Sequence, residues 1–306
     1  MRTDHYFDSC GAGKIHYCKW MPEGQPKAVL QIIHGIAEFV ERYDEFANYL
    51  TGLGYVVVAE DHMGHGQSIH ADAVQGYFVG GWFTAVQDSV KLMEITKEEF
   101  PGLPYVLFGH SMGSFMARTI LVSRPDIAAA IICGTGWQPR AALPLVIRLV
   151  QSIRDKVGAK NPSETLQKMI FGGYNNKIKN PRTAYDWLTR DEKIVDAYIA
   201  HPLCGFTAST DLILNMMIGI DYVEKKQSLQ NMQKDLPVFF IAGKEDPVGP
   251  YGKGVETAAR EFRKAGMQNV SCKIYPGCRH EILNELNRLE VFEDIANWLA
   301  PYTMNK

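Results

Sequence analysis

The sequence lacks the features that mark membrane, secreted and nucleic-acid-binding proteins. None of its 306 residues belong to a run of 18 uncharged apolar residues, and the N-terminus has no basic segment followed by an apolar one. The 32 Lys and Arg residues nearly balance the 34 Asp and Glu residues, and no basic run stands out. We therefore expect a cytoplasmic protein that neither inserts stably into a membrane nor binds nucleic acid.

Motifs for bound cofactors are also missing. The chain has no G-x-x-x-x-G-K sequence and no G-x-G-x-x-G after its first strand-helix unit, so nucleotide binding has no support. The cysteines do not have the paired spacing of a zinc site, and several lie in apolar runs. We predict that they are reduced and structural, and that the protein uses no cofactor. The cysteines are Cys10, Cys18, Cys133, Cys204, Cys272 and Cys278.

Short apolar runs alternate with amphipathic segments, which predicts an α/β fold with a mostly parallel sheet and helices on both faces. Eight strands are predicted at 3–8, 15–20, 28–34, 55–60, 105–109, 128–134, 237–242 and 270–275. Helices are predicted at 39–51, 82–99, 111–123, 251–264 and 281–299. The alternation stops after the sixth strand, so we divide the chain into a core (1–136), a helical cap (137–205) and the rest of the core (206–306).

The sequence Gly109-His-Ser-Met-Gly113 lies between a predicted strand and a predicted helix. A serine hydroxyl needs an exposed position, a base and oxyanion donors to act as a nucleophile. Gly109 and Gly113 remove side chains where the strand and helix would collide, so Ser111 can occupy a strained turn at the end of the sheet. The motif and its context predict a catalytic serine.

Two further side chains follow predicted strands in the order that such a serine requires. Asp246 follows the seventh strand and His280 the eighth, and the carboxyl ends of parallel strands share one edge of the sheet. His280 would accept the Ser111 proton, and Asp246 would orient the imidazole. Glu245 is the nearest rival for the acid, and Asp246 could instead be a turn residue before Pro247.

An oxyanion also needs two backbone N–H donors. The residue after the nucleophile, Met112, and Ile36 in the loop after the third strand occupy the expected positions. Gly35 would let the chain turn so that the Ile36 N–H faces Ser111. Glu38 and Arg42 lie one helical turn apart and would brace this loop as an ion pair, although a solvated surface pair would have the same spacing.

The segment Asp61-His-Met-Gly-His-Gly-Gln-Ser68, with His70 beyond it, holds two histidines and a carboxylate and so could suggest a metal site. Glycine and serine turn positions interrupt it, and no helical spacing aligns the ligands. We interpret it as a hydrogen-bonded turn beside the serine and predict no metal.

Five motifs in order resemble the monoacylglycerol lipase and lysophospholipase-like branch of the α/β hydrolases. The resemblance implies an α/β-hydrolase fold and a cofactor-free serine ester hydrolase, with Ser111, Asp246 and His280 as the triad and the Ile36 and Met112 amides as the oxyanion hole. It spans nearly the whole chain but is weak in the cap. The motifs are His34-Gly-Ile-Ala-Glu38 with Arg42-Tyr43, Asp61 to Ser68, Gly109 to Gly113, Asp246-Pro-Val and Arg279-His-Glu-Ile-Leu-Asn284.

The cap would select the substrate. One cap segment has an apolar face that would cover an acyl-chain pocket, contact a lipid surface transiently or pack on the core. Thioether and aromatic side chains suit an aliphatic substrate, so we name Phe39, Met112, Trp137, Met216 and Met217 as candidate pocket walls. The apolar face consists of Leu143, Val146, Ile147, Leu149, Val150 and Ile153.

We predict hydrolysis of a monoacylglycerol or lysophospholipid-like ester through an acyl-enzyme on Ser111. An aminopeptidase or amidase on the same scaffold is the alternative, and it would bind a substrate amine through acidic cap residues. A ligand-binding protein without turnover is the third hypothesis, although its expected mark, a broken triad, is missing. The acidic cap residues are Asp186, Asp191, Glu192 and Asp196.

Overall fold

The computed structural model describes residues 1–69, 74–139 and 141–303 of the chain, which fold around one eight-stranded sheet. The strands of this sheet lie in the order β1-β2-β4-β3-β5-β6-β7-β8. Strands β1 and β2 form an antiparallel hairpin, β2 pairs antiparallel with β4, and all other pairs are parallel. The strands are β1 (Arg2–Asp8), β2 (Lys14–Trp20), β3 (Ala28–Ile33), β4 (Tyr55–Glu60), β5 (Tyr105–His110), β6 (Ala129–Cys133), β7 (Val238–Gly243) and β8 (Val270–Tyr275).

Ten α-helices connect and cover the strands within the described ranges. They are α1 (Asp44–Gly52), α2 (Gly81–Glu99), α3 (Met112–Leu121), α4 (Leu143–Val157), α5 (Glu164–Phe171), α6 (Glu192–Ala200), α7 (Thr210–Glu224), α8 (Lys226–Asn231), α9 (Lys253–Lys264) and α10 (Arg288–Leu299). The predicted fold class is confirmed, because all eight predicted strands form and helices flank the sheet.

Both faces of the sheet are buried, which is why the central strands are almost continuously apolar. One core lies between the sheet and helices α2, α3, α7 and α9, and the other lies under α1 and α10. Alternate residues of each strand enter opposite cores: Val29 and Ile33 of β3 enter the first, and Leu30 and Ile32 the second.

The order of the strands creates a crevice at the site of interest. After β3 the chain pairs β4 on one side, and it then crosses over to place β5 on the other side of β3. The loops after β3 and β5 therefore diverge at a switch point, where open α/β sheets bind ligands. These loops carry Gly35 and Ser111.

Two predicted helices differ from the structure. The predicted helix 39–51 begins as a 3-10 turn, Val40–Tyr43, before α1. The predicted helix 281–299 is wrong over its first third, where a 3-10 turn (Ile282–Asn284) precedes α10. The carboxylate of Glu285 accepts hydrogen bonds from the backbone N–H groups of Arg190 and Arg279, so contacts with distant segments hold this stretch out of a helix.

The segment between β6 and β7 is helical, as expected, but it extends further than the predicted cap. Helices α4 to α6 lie within 137–205, whereas α7 and α8 were not predicted. Helix α7 packs against α4 as well as against α2 and α3, so it joins the cap segment to the core. The division at residues 205 and 206 stays a prediction. None of the helices in the described ranges is long and apolar enough to cross a membrane, and the expected cytoplasmic location stays a prediction.

Candidate active site

Ser111 occupies a sharp turn between β5 and α3. Its backbone angles are φ 52° and ψ −120°, a conformation that non-glycine residues rarely adopt. The two motif glycines make this turn feasible, because a Cβ on Gly109 would lie 2.5 Å from the Gly113 carbonyl oxygen and a Cβ on Gly113 only 2.0 Å from that of Ile33. The sequence therefore folds into a strained elbow of the kind that presents a nucleophilic serine in α/β hydrolases.

The close approach at Gly113 leads to a stability prediction. We expect Gly113→Ala to lower the free energy of unfolding by about 1–3 kcal/mol or more, because α3 must move away from β3 to admit the methyl group. Urea unfolding followed by circular dichroism measures the change. Gly52→Ala is the matched control, since its Cβ would meet nothing within 4 Å, and it should be neutral or stabilising by up to about 1 kcal/mol. Equal unfolding curves for both variants would contradict the steric argument.

Asp246 and His280 come together beyond the ends of β7 and β8. His280 Nδ1 lies 3.0 Å from Asp246 Oδ2, and both side chains are buried. The two atoms are not aligned as in a linear hydrogen bond, yet neither has another hydrogen-bond partner among the described residues, so each is the polar group that the other faces. The other oxygen of Asp246 accepts a hydrogen bond of 2.8 Å from the Val248 N–H. Glu245, the rival acid, is exposed.

The His280 ring is enclosed by its neighbours. It packs 5.2 Å from the Trp187 ring and 4.8 Å from the His110 ring, measured between centroids. A Cβ on Gly134 would lie only 3.0 Å from His280 Cε1, so glycine is needed there to admit the imidazole. Burial acts to lower the pKa of His280, but the nearby carboxylates of Asp246, Glu281 and Glu38 together outweigh burial and raise this pKa above its ordinary value.

The loop after β3 lies directly against Ser111. A Cβ on Gly35 would be 3.0 Å from Ser111 Cβ, and the next residues, Ile36 and Ala37, line the same cavity as Ser111 and His280. Met112 also lines it, from the first position of α3. Both proposed oxyanion donors therefore border the space in front of the serine.

Glu38 holds this loop from a buried position. Its carboxylate accepts hydrogen bonds from the Gly35 N–H (2.6 Å), the Tyr43 hydroxyl (3.0 Å) and the Arg42 guanidinium (2.7 Å). His110 Nδ1 lies 3.1 Å from it. Burial acts to raise the pKa of Glu38, but His110 and Arg42 outweigh burial and hold it well below its usual range. The pair of Glu38 and Arg42 is therefore a buried brace and not a solvated surface pair.

Arg42 extends this brace to the loop that carries His280. Its guanidinium makes two hydrogen bonds to the Glu281 carboxylate, at 2.7 and 2.6 Å, while also donating to Glu38. One arginine thus ties the loop after β3 to the residue beside the imidazole, 239 positions away in sequence. This role of Glu281 was not predicted, although Glu281 stands in the motif Arg279 to Asn284.

The turn Asp61 to Ser68 supports the site through hydrogen bonds. His34 Nε2 accepts from the His62 N–H at 3.1 Å, so its Nδ1 is the donor to the Gly35 carbonyl at 2.7 Å. Burial lowers the pKa of His34 to about 3 and that of His65 to about 4, so both rings are neutral near pH 7. This agrees with the interpretation as a hydrogen-bonded turn. His70 lies outside the described residues.

Ser111 opens into a cavity of about 510 Å³ that is lined largely by apolar side chains. Met216 and Met217 of α7 line it. The charged residues that line it are Lys168 of α5, Glu38 in the loop after β3, and Glu281, which adjoins His280. The apolar walls come from α3, α4, α5 and α7 and include Phe115, Leu143, Val146, Ile170, Phe171 and Ile220.

Phe39 and Trp137, which were also predicted as pocket walls, are not among the described residues that line this cavity. Phe39 stacks on the His201 ring, with centroids 4.3 Å apart. Trp137 packs over the guanidinium of the buried Arg118 and lines a separate cavity near α8 and α9. Both aromatic side chains had closer partners that the sequence did not reveal.

The four acidic residues of the predicted cap form hydrogen bonds or ion pairs with neighbouring groups of the cap. Asp191 accepts from the Lys193 N–H at the start of α6, and Asp196 pairs with Arg182 at 2.7 Å. Asp186 accepts a hydrogen bond from the backbone N–H of Arg182. Glu192 lies 3.9 Å from the guanidinium of that arginine. As far as the described residues define the cavity, none of these four carboxylates lines it.

The fold and the nucleophile elbow define the class of protein: this chain is an α/β hydrolase. It belongs to the family described as serine aminopeptidase, S33, which matches residues 24–287. It is 26% identical to a monoacylglycerol lipase of Mycolicibacterium smegmatis over 98% of both chains. It is 28% identical to the human monoglyceride lipase over 95% of this chain and 88% of the relative.

Two solved structures of enzymes are similar to this chain over nearly its whole length. A carboxyl esterase from Bacillus coagulans, solved in complex with glycerol, is 27% identical and superposes with a TM-score of 0.92 over 99% of both chains. A lipase in its open form is also 27% identical, with a TM-score of 0.87 over 99% of both chains.

Proposed function

We propose that this α/β hydrolase cleaves carboxylic esters that carry a single acyl chain, with monoacylglycerols as the leading substrate class. The observation that carries the proposal is the position of Ser111, on a strained elbow at the mouth of a largely apolar cavity that His280 also lines. The full-length similarity to monoacylglycerol and monoglyceride lipases supports the substrate class.

His280 acts as the general base in the proposed mechanism. Its Nε2 accepts the Ser111 proton as the serine oxygen attacks the ester carbonyl, and Asp246 stabilises the imidazolium that forms. The N–H groups of Ile36 and Met112 donate to the oxyanion. The imidazolium then protonates the departing alcohol, which leaves an acyl-enzyme on Ser111. A water molecule, deprotonated by His280, repeats the sequence and releases the fatty acid.

The two ends of the cavity suit the two parts of such a substrate. Methionine and phenylalanine side chains from α3, α5 and α7 accommodate an alkyl chain, since they are apolar and, for methionine, adaptable. The alcohol faces the polar end near Glu38 and Glu281. Leu145 and Leu149 on α4 are exposed, whereas Leu143 and Val150 are buried. Transient contact of this helix with a lipid surface stays a prediction.

A substrate panel tests the proposal. We expect the enzyme to hydrolyse monoacylglycerols and p-nitrophenyl esters and to leave aminoacyl amides intact, because the acidic cap residues that would bind a substrate amine have other partners. Product release is measured by titration of fatty acid and by nitrophenol absorbance. Hydrolysis of the amides alone would favour the aminopeptidase alternative and overturn the proposal.

The pH dependence of catalysis tests the role of His280. Only the neutral imidazole can accept the Ser111 proton, so kcat/KM should fall as the pH drops through the pKa of His280. Burial lowers that pKa, but the carboxylates of Asp246, Glu281 and Glu38 together raise it by more, so the acid limb should lie above the ordinary pKa of a histidine. Asp246→Asn removes the charge, so it should shift the limb to lower pH and reduce kcat about 10⁴-fold. A pH profile of p-nitrophenyl ester hydrolysis measures both effects. An unshifted limb in the variant would assign it to another group.

A further inference from the structure

Three side chains with metal-binding atoms meet on one face of the β1–β2 hairpin, at the edge of the sheet. Asp4 of β1 lies directly opposite Cys18 of β2, and His16 lies two residues before Cys18 on the same face. His16 and Cys18 are fully buried, and Asp4 covers them from a half-exposed position. This group was not predicted from the sequence, because a hairpin turn separates two of its members from the third.

The distances among the three atoms resemble the edges of a tetrahedral zinc site. Asp4 Oδ1 is 3.2 Å from His16 Nε2 and 3.3 Å from Cys18 Sγ, and the nitrogen and the sulfur are 4.0 Å apart. Zinc bound to oxygen, nitrogen and sulfur at its usual bond lengths gives edges of about 3.4 Å between oxygen and nitrogen and about 3.6 Å to sulfur. Each edge therefore needs to change by no more than about 0.4 Å.

The other nitrogen of His16 is already held as in many zinc sites. Asp61 Oδ2 lies 2.8 Å from His16 Nδ1. Asp61 is itself fixed, since it accepts hydrogen bonds from the N–H groups of Val40 (2.9 Å) and Gln67 (2.9 Å). A carboxylate on Nδ1 sets the ring orientation and leaves Nε2 to face Asp4 and Cys18, the arrangement that orients metal-bound histidines.

We propose that Asp4, His16 and Cys18 bind a zinc ion, with water as the fourth ligand. The thiolate of Cys18 and the carboxylate of Asp4 balance the two positive charges, and His16 binds as a neutral imidazole. The thiol proton, and any proton on His16 Nε2, pass to solvent when the metal enters. Arg2, whose positive charge acts on Asp4 and Cys18, has other carboxylate partners, since it donates to Asp44 at 3.0 Å and lies 3.4 Å from Glu41.

The same distances also fit a purely hydrogen-bonded clasp, in which a protonated His16 donates to both Asp4 and Asp61. Burial acts to lower the pKa of His16, but Asp61 and then Asp4 outweigh burial and raise it. Burial also raises the pKa of the Cys18 thiol. A metal must therefore compete with protons, and its affinity should increase with pH. The clasp binds no metal at any pH, so the two explanations predict different results.

Cobalt(II) tests the proposal, because it substitutes for zinc and absorbs light when it binds a thiolate. Protein dialysed against a chelator should bind one Co²⁺ with a thiolate charge-transfer band and the visible bands of a tetrahedral ion, and added Zn²⁺ should abolish both. Cys18→Ser should remove the charge-transfer band. Asp61→Asn should weaken binding about 10- to 100-fold. Cys10→Ser, which alters an exposed thiol outside the site, should leave the spectrum unchanged.

Two further measurements keep the test decisive. Asp4→Ala changes a half-exposed side chain, so it should fold normally and still lose Co²⁺ affinity by at least tenfold. None of the three ligands lines the cavity at Ser111, so ester hydrolysis by the chelated protein should equal that of the parent. A parent protein without a thiolate band, or a band that survives in Cys18→Ser, would overturn the zinc site and favour the clasp.

Discussion

Ser111→Ala is expected to lower kcat/KM for monoacylglycerols and p-nitrophenyl esters about 10⁶-fold and to abolish covalent labelling by a fluorophosphonate. The reason is chemical, since the variant has no oxygen at the elbow to form the acyl-enzyme. Alanine retains the Cβ and can adopt the same backbone angles, so the cavity and the fold should be preserved. Residual hydrolysis would come from the oxyanion donors and from substrate binding alone.

Two comparisons separate this loss from a general defect. Ser123→Ala changes an exposed serine just after α3 and should label and turn over like the parent. His280→Ala should lose about as much activity as Ser111→Ala, and the double variant should lose little more, because residues that act as one catalytic unit are strongly non-additive. Undiminished labelling of Ser111→Ala would remove Ser111 from the mechanism. Additive losses would mean that His280 acts in a separate step.

The centre of the sheet was predictable from the sequence because its strands are buried on both faces. Strand 55–60, for example, matches the structure in full, since a continuous apolar run between turn residues has few other arrangements. The start of α10 was not predictable. Local periodicity continues through residues 281–287, but Glu281 and Glu285 bind arginines that are far away in sequence. Tertiary contacts therefore overrode a helical pattern.

The order of motifs predicted which residues would meet at the site. Ser111, Asp246 and His280 each follow a parallel strand, so topology alone brings them to one edge of the sheet. The walls of the cavity were harder to predict, because they depend on how α4, α5 and α7 pack over that edge. Met216 and Met217 line the cavity, whereas Phe39 and Trp137 have closer partners elsewhere.

Arg42→Met is expected to lower the free energy of unfolding by about 3–5 kcal/mol, because it leaves two buried carboxylates without their shared counter-charge. The side chains of Glu38 and Glu281 are only 5% and 4% exposed, so water cannot replace the guanidinium. Methionine keeps most of the volume, which separates loss of charge from loss of packing. We also expect kcat to fall, since Glu38 binds the Gly35 N–H beside Ser111 and Glu281 adjoins His280.

Guanidinium chloride unfolding of four variants tests this expectation. Arg182→Met is the matched control, because its guanidinium is 41% exposed and solvent screens its ion pairs with Asp196 and Glu192, so they should contribute little to stability. Adding Glu281→Gln to Arg42→Met should restore part of the lost stability, since it removes an uncompensated charge, and adding Glu38→Gln as well should restore more. The catalytic defect should persist in the restored protein, because a neutral set of side chains no longer ties the two loops together. If Arg42→Met costs no more than Arg182→Met, the three charges do not brace the site, and the positions of Gly35 and His280 must depend on the backbone alone.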